Sequence, residues 1–298
     1  MTQQLQNINL DQLLFVDIET ASNKPTITNT DKEYDAWVWK MREDDKLPSF
    51  DEAVKLYENK AALYSSFNKI IAISAGIIKD NTIFLTTYAG EESEILESFV
   101  DMANKANRTL VFWNAPFDLP TIRKRFFINK LQNYLTDQRG NDSMKKPWTL
   151  SGVLDLMDVW KGISYYNESM DEVALALGLD SPKDELKGNE VSKAYWDGKI
   201  TEIVKYNKKD VITLINIYNC LVGNNIISKI VEKEPKIDKQ PIIKDIFNSR
   251  NITEEQKKKI LDFSKTFTED EKKRLGKILS AAIFPNKLNL TFLEELYG

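Results

Sequence analysis

The chain of 298 residues contains no histidine and a single cysteine, Cys220. Without histidine it can form no Ser-His-Asp triad, no Cys-His dyad, no histidine-rich zinc site and no histidine-based nuclease site. One cysteine excludes an internal disulfide and a cysteine-cluster metal site. Because Cys220 lies in an apolar run, we interpret it as a buried filler. Carboxylates, lysine, tyrosine and metal ions are the groups left for catalysis.

Long apolar runs and an excess of positive charge are also missing. No segment approaches about 18 uninterrupted apolar residues. The first ten residues lack the apolar core of a signal peptide, so we expect a cytoplasmic protein without a membrane span. The net charge of −4 argues against a protein that coats nucleic acid by neutralising phosphates. Any contact with nucleic acid must therefore be local, and acidic groups there need a cationic partner.

Hydrophobic patterning predicts an α/β domain built on a mixed β-sheet flanked by helices. Apolar runs predict strands at 13–16, 70–78, 82–88, 109–113 and 153–160. Helical spacing predicts helices at about 91–106, 119–127, 170–177, 189–196 and 200–221. Between the second and third strands, Asp80-Asn81 predicts a hairpin turn.

The pattern changes twice along the chain. Residues 21–66 alternate between polar and aromatic and predict a partly helical insertion after the first strand. From about residue 225 the chain is rich in Lys and Glu, and capping-box patterns predict three helix starts, at Thr253, Thr268 and Thr291, with no strand. We therefore predict one domain over 1–222 and a small helical C-terminal appendage over 223–298.

Two acids, Asp17 and Glu19, stand two residues apart at the end of the first predicted strand. Because side chains alternate along a strand, both point to one face of the sheet. Adjacent carboxylates repel each other unless a cation lies between them. The pair therefore indicates a cation site, with a solvated strand end as the alternative interpretation.

Two further motifs contain an acid in a defined local setting. Asp118 follows a predicted strand-to-helix turn, where it would cap the helix or act chemically, and Pro120 is expected in that helix's first turn. Tyr206 and Asp210 are four residues apart and share one face of a predicted helix, as in many amphipathic helices. Neither motif is decisive alone.

Taken together, the motifs Asp17-Ile18-Glu19-Thr20, Asn114…Phe117-Asp118-Leu119-Pro120 and Tyr206…Asp210 resemble those of the DnaQ-like, or DEDD, exonuclease superfamily. The tyrosine four residues before the last acid is similar to the Tyr subgroup. The flanking residues look most like the proofreading exonuclease domain of family B DNA polymerases, and in particular its stand-alone relatives. The resemblance covers about residues 10–222 and implies a ribonuclease H-like fold.

This resemblance implies a 3′–5′ exonuclease that hydrolyses the 3′ end of single-stranded DNA with two metal ions and releases nucleoside 5′-monophosphates. Mg²⁺ and Mn²⁺ suit such a site because they prefer carboxylate oxygens. Asp17 is implied to bridge both ions, Glu19 and Asp210 to complete one site, and Asp118 to hold the other ion. Tyr206 is implied to orient the attacking water, since a free tyrosine has a pKa near 10 and is a poor base.

The resemblance also implies substrate contacts for Thr20, Asn114 and Phe117. Phe117 would stack on a terminal base or, alternatively, pack in the core. Two basic groups are interpreted as solvated charge rather than phosphate contacts, namely Arg123, Lys124 and Arg125, and Lys145 and Lys146. Asp155 and Asp158 are weaker candidates for additional metal ligands.

Three alternatives stay open at this level. One is a 3′–5′ exoribonuclease of the same superfamily, because two-metal chemistry does not require or forbid a 2′-hydroxyl. Another is a non-catalytic nucleic-acid-binding scaffold that has kept the fold. The predicted helical appendage either recruits a replication or repair protein or shields the edge of the sheet.

Overall fold

The computed structural model describes residues 9–132, 135, 152–180, 186, 188–233, 236–237, 265 and 268. Over these residues the chain forms one seven-stranded mixed sheet flanked by helices, which confirms the predicted α/β architecture. The strands are β1 Leu13–Ser22, β2 Asn68–Lys79, β3 Thr82–Ala89, β4 Thr109–Phe112, β5 Val153–Asp155, β6 Ile230–Glu232 and β7 Lys236–Ile237. The α-helices are α1 Tyr34–Lys40, α2 Phe50–Lys60, α3 Glu92–Ala106, α4 Ala115–Ile128, α5 Leu156–Lys161, α6 Met170–Ala176, α7 Val191–Trp196 and α8 Ile200–Val222.

The strand order across the sheet is β5-β4-β1-β2-β3-β6, with β7 also paired to β3. Strands β1, β2 and β3 form an antiparallel meander, whereas β4 and β5 continue the sheet parallel to β1. Asp80 and Asn81 form the turn between β2 and β3 with φ angles of 49° and 52°, as a tight hairpin requires. This topology is consistent with a ribonuclease H-like fold and places β1 in the middle of the sheet.

Alternation along β1 separates two hydrophobic cores. Leu14, Val16 and Ile18 pack on the face covered by α3 and α4. Leu13 and Phe15 pack on the opposite face, against α6 and α8. Residues 17 and 19 share the period of Phe15, so the two acids of β1 face the side of the sheet on which α8 lies.

The predicted insertion forms α1 and α2 and has a small core of its own. Trp37 is fully buried there and packs edge-on against Tyr57, with ring centroids 5.2 Å apart. The indole Nε1 of Trp37 donates a hydrogen bond to the carbonyl of Ala53 at 2.9 Å. Ser49 and Glu52 form a capping box at the start of α2. The insertion is therefore a packed unit beside the sheet.

Two of the predicted element boundaries are wrong in an informative way. Helix α4 begins at Ala115, earlier than expected, so Pro120 lies inside the helix and Pro116 occupies its first turn. The run predicted as one strand over 153–160 is a strand only through Asp155, whose side chain then caps α5. In the second case an apolar run contains the start of a helix that strand patterning alone does not reveal.

The prediction of no strand after about residue 225 is also wrong, because β6 pairs with β3. The three predicted helix starts of the appendage involve residues outside the described part of the chain, apart from Thr268 itself, so the appendage stays a prediction. No helix in the described ranges is long and apolar enough to cross a membrane.

Gly76 in β2 lets α8 approach the sheet closely. A Cβ atom at Gly76 would lie 2.9 Å from side-chain carbons of Leu85 and Val211, and 3.0 Å from Ile215. We expect Gly76→Val to lower the free energy of unfolding by about 1–3 kcal/mol, as overpacking of a dense core does. Urea unfolding followed by circular dichroism measures this, and an unchanged midpoint would show that α8 has room to move.

Candidate active site

Three carboxylates that are far apart in the chain meet beside the sheet. Asp17, Glu19 and Asp210 each offer an oxygen atom, and these atoms all lie within 4.8 Å of one another. Glu19 and Asp210 are buried and Asp17 is partly buried. Negative charges at this spacing repel one another strongly in a buried setting. A divalent cation would relieve this repulsion, and carboxylate oxygens are the ligands that Mg²⁺ and Mn²⁺ prefer.

The packing of α8 on the sheet sets the three acids opposite each other. Phe15 of β1 packs edge-on against Tyr218 of α8, with ring centroids 5.5 Å apart. Asp17 and Glu19 follow Phe15 on the same face of β1, and Asp210 precedes Tyr218 by about two helical turns. The helix–sheet contact that fills the core therefore also positions the acids.

The fourth predicted acid, Asp118, lies in the first turns of α4 and is not part of the group of three in the described residues. Strand β4 ends at Phe112. Beyond Phe15, β1 therefore has no paired strand on its β4 side in the described residues. The backbone of Ile18 on that stretch hydrogen-bonds to the Asp118 carboxylate. The charge of Asp118 also raises the pKa of both Asp17 and Glu19, which places it beside the group.

Burial and mutual repulsion raise the pKa of these acids. For Asp17 burial is the largest cause, followed by the charges of Asp210, Glu19 and Asp118. Burial also raises the pKa of Glu19 well above its usual range, with Asp210 and Asp118 adding to it. For Asp118 burial again comes first, followed by the charge of Asp155. Without a cation the pocket therefore favours protonated acids, and a bound cation would favour their ionised forms.

Tyr206 lies on the same face of α8 as Asp210 and hydrogen-bonds to it. Burial, followed by the charges of Asp210, Glu19 and Asp17, raises the pKa of Tyr206 far above its usual value. Its hydroxyl therefore keeps its proton at neutral pH and acts as a hydrogen-bond donor rather than as a base.

Asn207 is a buried neighbour of the acids that motif reasoning did not single out. Its Nδ2 donates a hydrogen bond to Oδ2 of Asp17 at 2.6 Å, and the residue is 0% exposed. Asparagine within a Tyr-x-x-x-Asp spacing carries no distinctive sequence signal. Only the helical position one residue after Tyr206 and three before Asp210 could have suggested that it faces the same pocket.

Asp155 connects the starts of two helices. Its carboxylate accepts hydrogen bonds from the backbone amides of Ala115 at 3.1 Å, Met157 at 3.0 Å and Asp158 at 3.4 Å. Burial, with the charge of Asp158 adding to it, raises the pKa of Asp155 to about 6. Asp155 is outside the group of three acids, and its backbone bonds make it the group that anchors the start of α4. Asp158 is exposed on α5.

The three predicted substrate-contact residues lie in different settings. The Thr20 hydroxyl is buried and donates to the carbonyl of Ala62 at 2.8 Å, which attaches the insertion to β1. A β-bulge between β1 and β2 occurs next to Thr20. Asn114 precedes α4 without capping it through its side chain. Phe117 is partly buried and packs against the core formed with α3 and α4, so part of its ring remains exposed.

The basic cluster on α4 is not a uniform solvated face. Lys124 is exposed, and Arg123 lies over the ring of Phe127 at 5.6 Å from its centroid. Arg125 is buried and forms an ion pair with Glu92, so the surface interpretation is wrong for this residue. The other predicted basic pair, Lys145 and Lys146, lies outside the described residues.

A family model described as a predicted 3′–5′ exonuclease related to the exonuclease domain of PolB matches residues 61–267. The match includes Asp118, Tyr206 and Asp210 and extends past residue 222, where the resemblance was expected to end. It begins after Asp17 and Glu19, which the fold brings to Asp210. No curated protein matches the chain. Since the family model spans more than half of the sequence, the chain belongs to this family of predicted 3′–5′ exonucleases related to the exonuclease domain of PolB.

Proposed function

We propose that the protein is a 3′–5′ exodeoxyribonuclease that acts on single-stranded DNA ends and releases nucleoside 5′-monophosphates with two Mg²⁺ or Mn²⁺ ions. The observation that carries this proposal is the meeting of Asp17, Glu19 and Asp210 within 4.8 Å in a chain of an exonuclease family. All three ligand atoms are carboxylate oxygens, which favour hard cations. The chain has no histidine, the ligand that would favour softer metals.

The donor set fits two hard divalent cations. Asp17, Glu19 and Asp210 would hold one ion, and Asp118 with Asp17 would hold the second. When bound, such ions offset the charges of the carboxylates and the phosphate and lower the pKa of a coordinated water. Burial raises the pKa of Asp17 and Glu19, and the charges of the neighbouring acids raise it further, which supports this assignment because a bound cation would offset that repulsion.

The chain's own residues would orient the substrate and the water. The Tyr206 hydroxyl keeps its proton and hydrogen-bonds to Asp210, so its oxygen would accept a hydrogen bond from the attacking water and orient it. Phe117, one residue before Asp118, presents a partly exposed ring on which a terminal base would stack. Thr20 would contact the terminal nucleotide through its backbone, because its hydroxyl is committed to Ala62. Asn114 would hold the strand next to the start of α4.

The preference for DNA rests on the relationship of the family to the exonuclease domain of PolB. The carboxylate pocket does not discriminate between sugars, since neither the metal ligands nor Tyr206 requires a 2′-hydroxyl. A direct comparison of deoxynucleotide and ribonucleotide substrates therefore tests the sugar preference.

The test uses 5′-labelled single-stranded oligonucleotides that differ only in whether the 3′-terminal nucleotide is a deoxynucleotide or a ribonucleotide. With Mn²⁺ we expect stepwise shortening from the 3′ end, release of 5′-monophosphates, faster cutting of the deoxynucleotide and no reaction in EDTA. Glu97→Gln, which removes an exposed carboxylate on α3, serves as a matched control and should retain full activity. Shortening from the 5′ end, or no shortening with either ion, would overturn the proposal, and faster cutting of the ribonucleotide would overturn its DNA specificity.

A further inference from the structure

We infer that Asn207 is a positioning residue that fixes the carboxylate of Asp17 in the orientation that binds cations. The inference rests on the proposed function, because it concerns the same group of acids. Asn207 would act through Asp17, a proposed metal ligand, and would not contact the substrate.

The contact is short, buried and directed. The amide Nδ2 of Asn207 lies 2.6 Å from Oδ2 of Asp17, and Asn207 is fully inaccessible to solvent. The hydrogen bond joins α8 to β1, the two elements that supply Asp210 and Glu19. It therefore orients a carboxylate of the strand relative to a carboxylate of the helix at the point where the acids meet.

The neutral amide suits this place better than a charged donor. Asp17 is surrounded by the negative charges of Asp210, Glu19 and Asp118, and the neutral amide of Asn207 donates to it without adding a charge. A lysine or arginine at this position would also donate, but its positive charge would neutralise the pocket and compete with a metal ion. An amide orients the carboxylate while leaving the negative charge of the site available.

The side-chain oxygen of Asn207 shows that packing alone does not explain an asparagine at this position. Its Oδ1 is buried and has no hydrogen-bond partner. Buried polar atoms without partners are rare and unfavourable. Exchanging the two ends of the amide would not relieve this, because an oxygen would then face the carboxylate of Asp17. A leucine of similar size would bury no such atom, so we attribute the asparagine to the bond that it makes with Asp17.

The experiment measures Mn²⁺ binding by isothermal titration calorimetry, with no substrate present. Outer-shell hydrogen bonds to metal ligands typically change affinity by about 10- to 100-fold, so we expect Asn207→Leu to raise the Mn²⁺ dissociation constant by at least about tenfold. Because the weakened step is cation binding, high Mn²⁺ concentrations should restore a large part of its nuclease activity. A purely structural defect would not respond to the metal concentration in this way.

Asn216 provides a matched control on the same helix. It is buried and its side chain exchanges hydrogen bonds with the backbone of Ile227, away from the acids. Asn216→Leu should bind Mn²⁺ within about twofold of the unchanged protein, judged against the usual outer-shell effect. Thermal unfolding in EDTA establishes that each variant is folded, and Asn207→Ser, whose hydroxyl is too short to reach Asp17, replaces Asn207→Leu if leucine is not accommodated.

The outcomes separate this inference from the proposed function. If the unchanged protein and folded Asn207 variants bind Mn²⁺ equally well, the inference is wrong and the proposed metal site stands. If Asn216→Leu weakens binding as much as Asn207→Leu, the effect is a general one of α8 and the inference is also wrong. If the unchanged protein binds no Mn²⁺, both the inference and the proposed metal site are overturned.

Discussion

Replacement of Asp210 by asparagine should abolish nuclease activity and at the same time make the metal-free protein more stable. Activity should fall by at least about 10³-fold, because charge stabilisation by a metal contributes several kcal/mol and each 1.36 kcal/mol changes a rate tenfold. Stability should rise because Asp210 repels both Asp17 and Glu19 inside the pocket. The measurements are oligonucleotide cleavage with Mn²⁺ and urea unfolding in EDTA.

The stability gain expected for Asp210→Asn should depend on pH, and the direction of that dependence follows from the raised pKa values. The pKa values of Asp17 and Glu19 are raised in the folded protein, so the folded state binds more protons than the unfolded chain above the ordinary carboxyl pKa of about 4. The free energy of unfolding in EDTA should then fall as the pH rises from that value through the raised ones. Asp210→Asn removes one of the charges responsible, so its advantage over the unchanged protein should grow as the pH rises through this range.

Two comparisons separate the metal ligands from their surroundings. Glu97→Gln should leave activity unchanged, since Glu97 is exposed on α3, and α3 packs on the face of the sheet opposite to α8. Tyr206→Phe should keep measurable activity, with a loss of about 10- to 100-fold for one charge-assisted hydrogen bond. If Tyr206→Phe is as inactive as Asp210→Asn, the tyrosine does more than orient the water. If Asp210→Asn is less stable in EDTA at every pH, the acids are not in repulsion.

The parts of this site that sequence patterning predicts are those that depend on local geometry. The spacing of Asp17 and Glu19 places them on one face of a strand, and the spacing of Tyr206 and Asp210 places them on one face of a helix, whatever the fold. The same reasoning predicted β2, β3 and α8 within a few residues. That these faces turn toward each other does not follow from spacing, and it was inferred from resemblance to a known arrangement of motifs.

The residues that patterning missed act through contacts between distant segments. Asn207 is recognisable only once α8 lies against β1, because its partner is 190 residues away in the chain. Asp155 resembles a candidate ligand until its backbone donors are known, one of which is the amide of Ala115. Arg125 stands between an exposed lysine and a buried phenylalanine in sequence, and charge patterning cannot tell that it faces inward. Each case requires the packing of at least two elements rather than the periodicity of one.

The second large effect is expected at the ion pair that attaches α4 to the sheet. Arg125 donates from Nε and Nη2 to the Glu92 carboxylate at 2.7 and 2.5 Å. Glu92 also accepts from the backbone of Ile70 and from Asn129, and both charged residues are buried. Arg125→Met should lower the free energy of unfolding by about 3–5 kcal/mol, because it leaves the Glu92 charge buried without its counter-ion. Urea unfolding in EDTA measures this.

A double variant tests whether the unpaired charge of Glu92 causes the loss of stability in Arg125→Met. Glu92→Gln combined with Arg125→Met removes both charges and keeps an acceptor for the amide of Ile70, so most of the lost stability should return. The exposed pair of Asp101 and Lys105, 2.7 Å apart on α3, is the control, and Lys105→Met should cost less than about 1 kcal/mol. If the double variant is no more stable than Arg125→Met, lost packing rather than an unpaired charge explains the defect. If Arg125→Met costs no more than Lys105→Met, the ion pair does not hold α4, and with it Asp118, against the sheet.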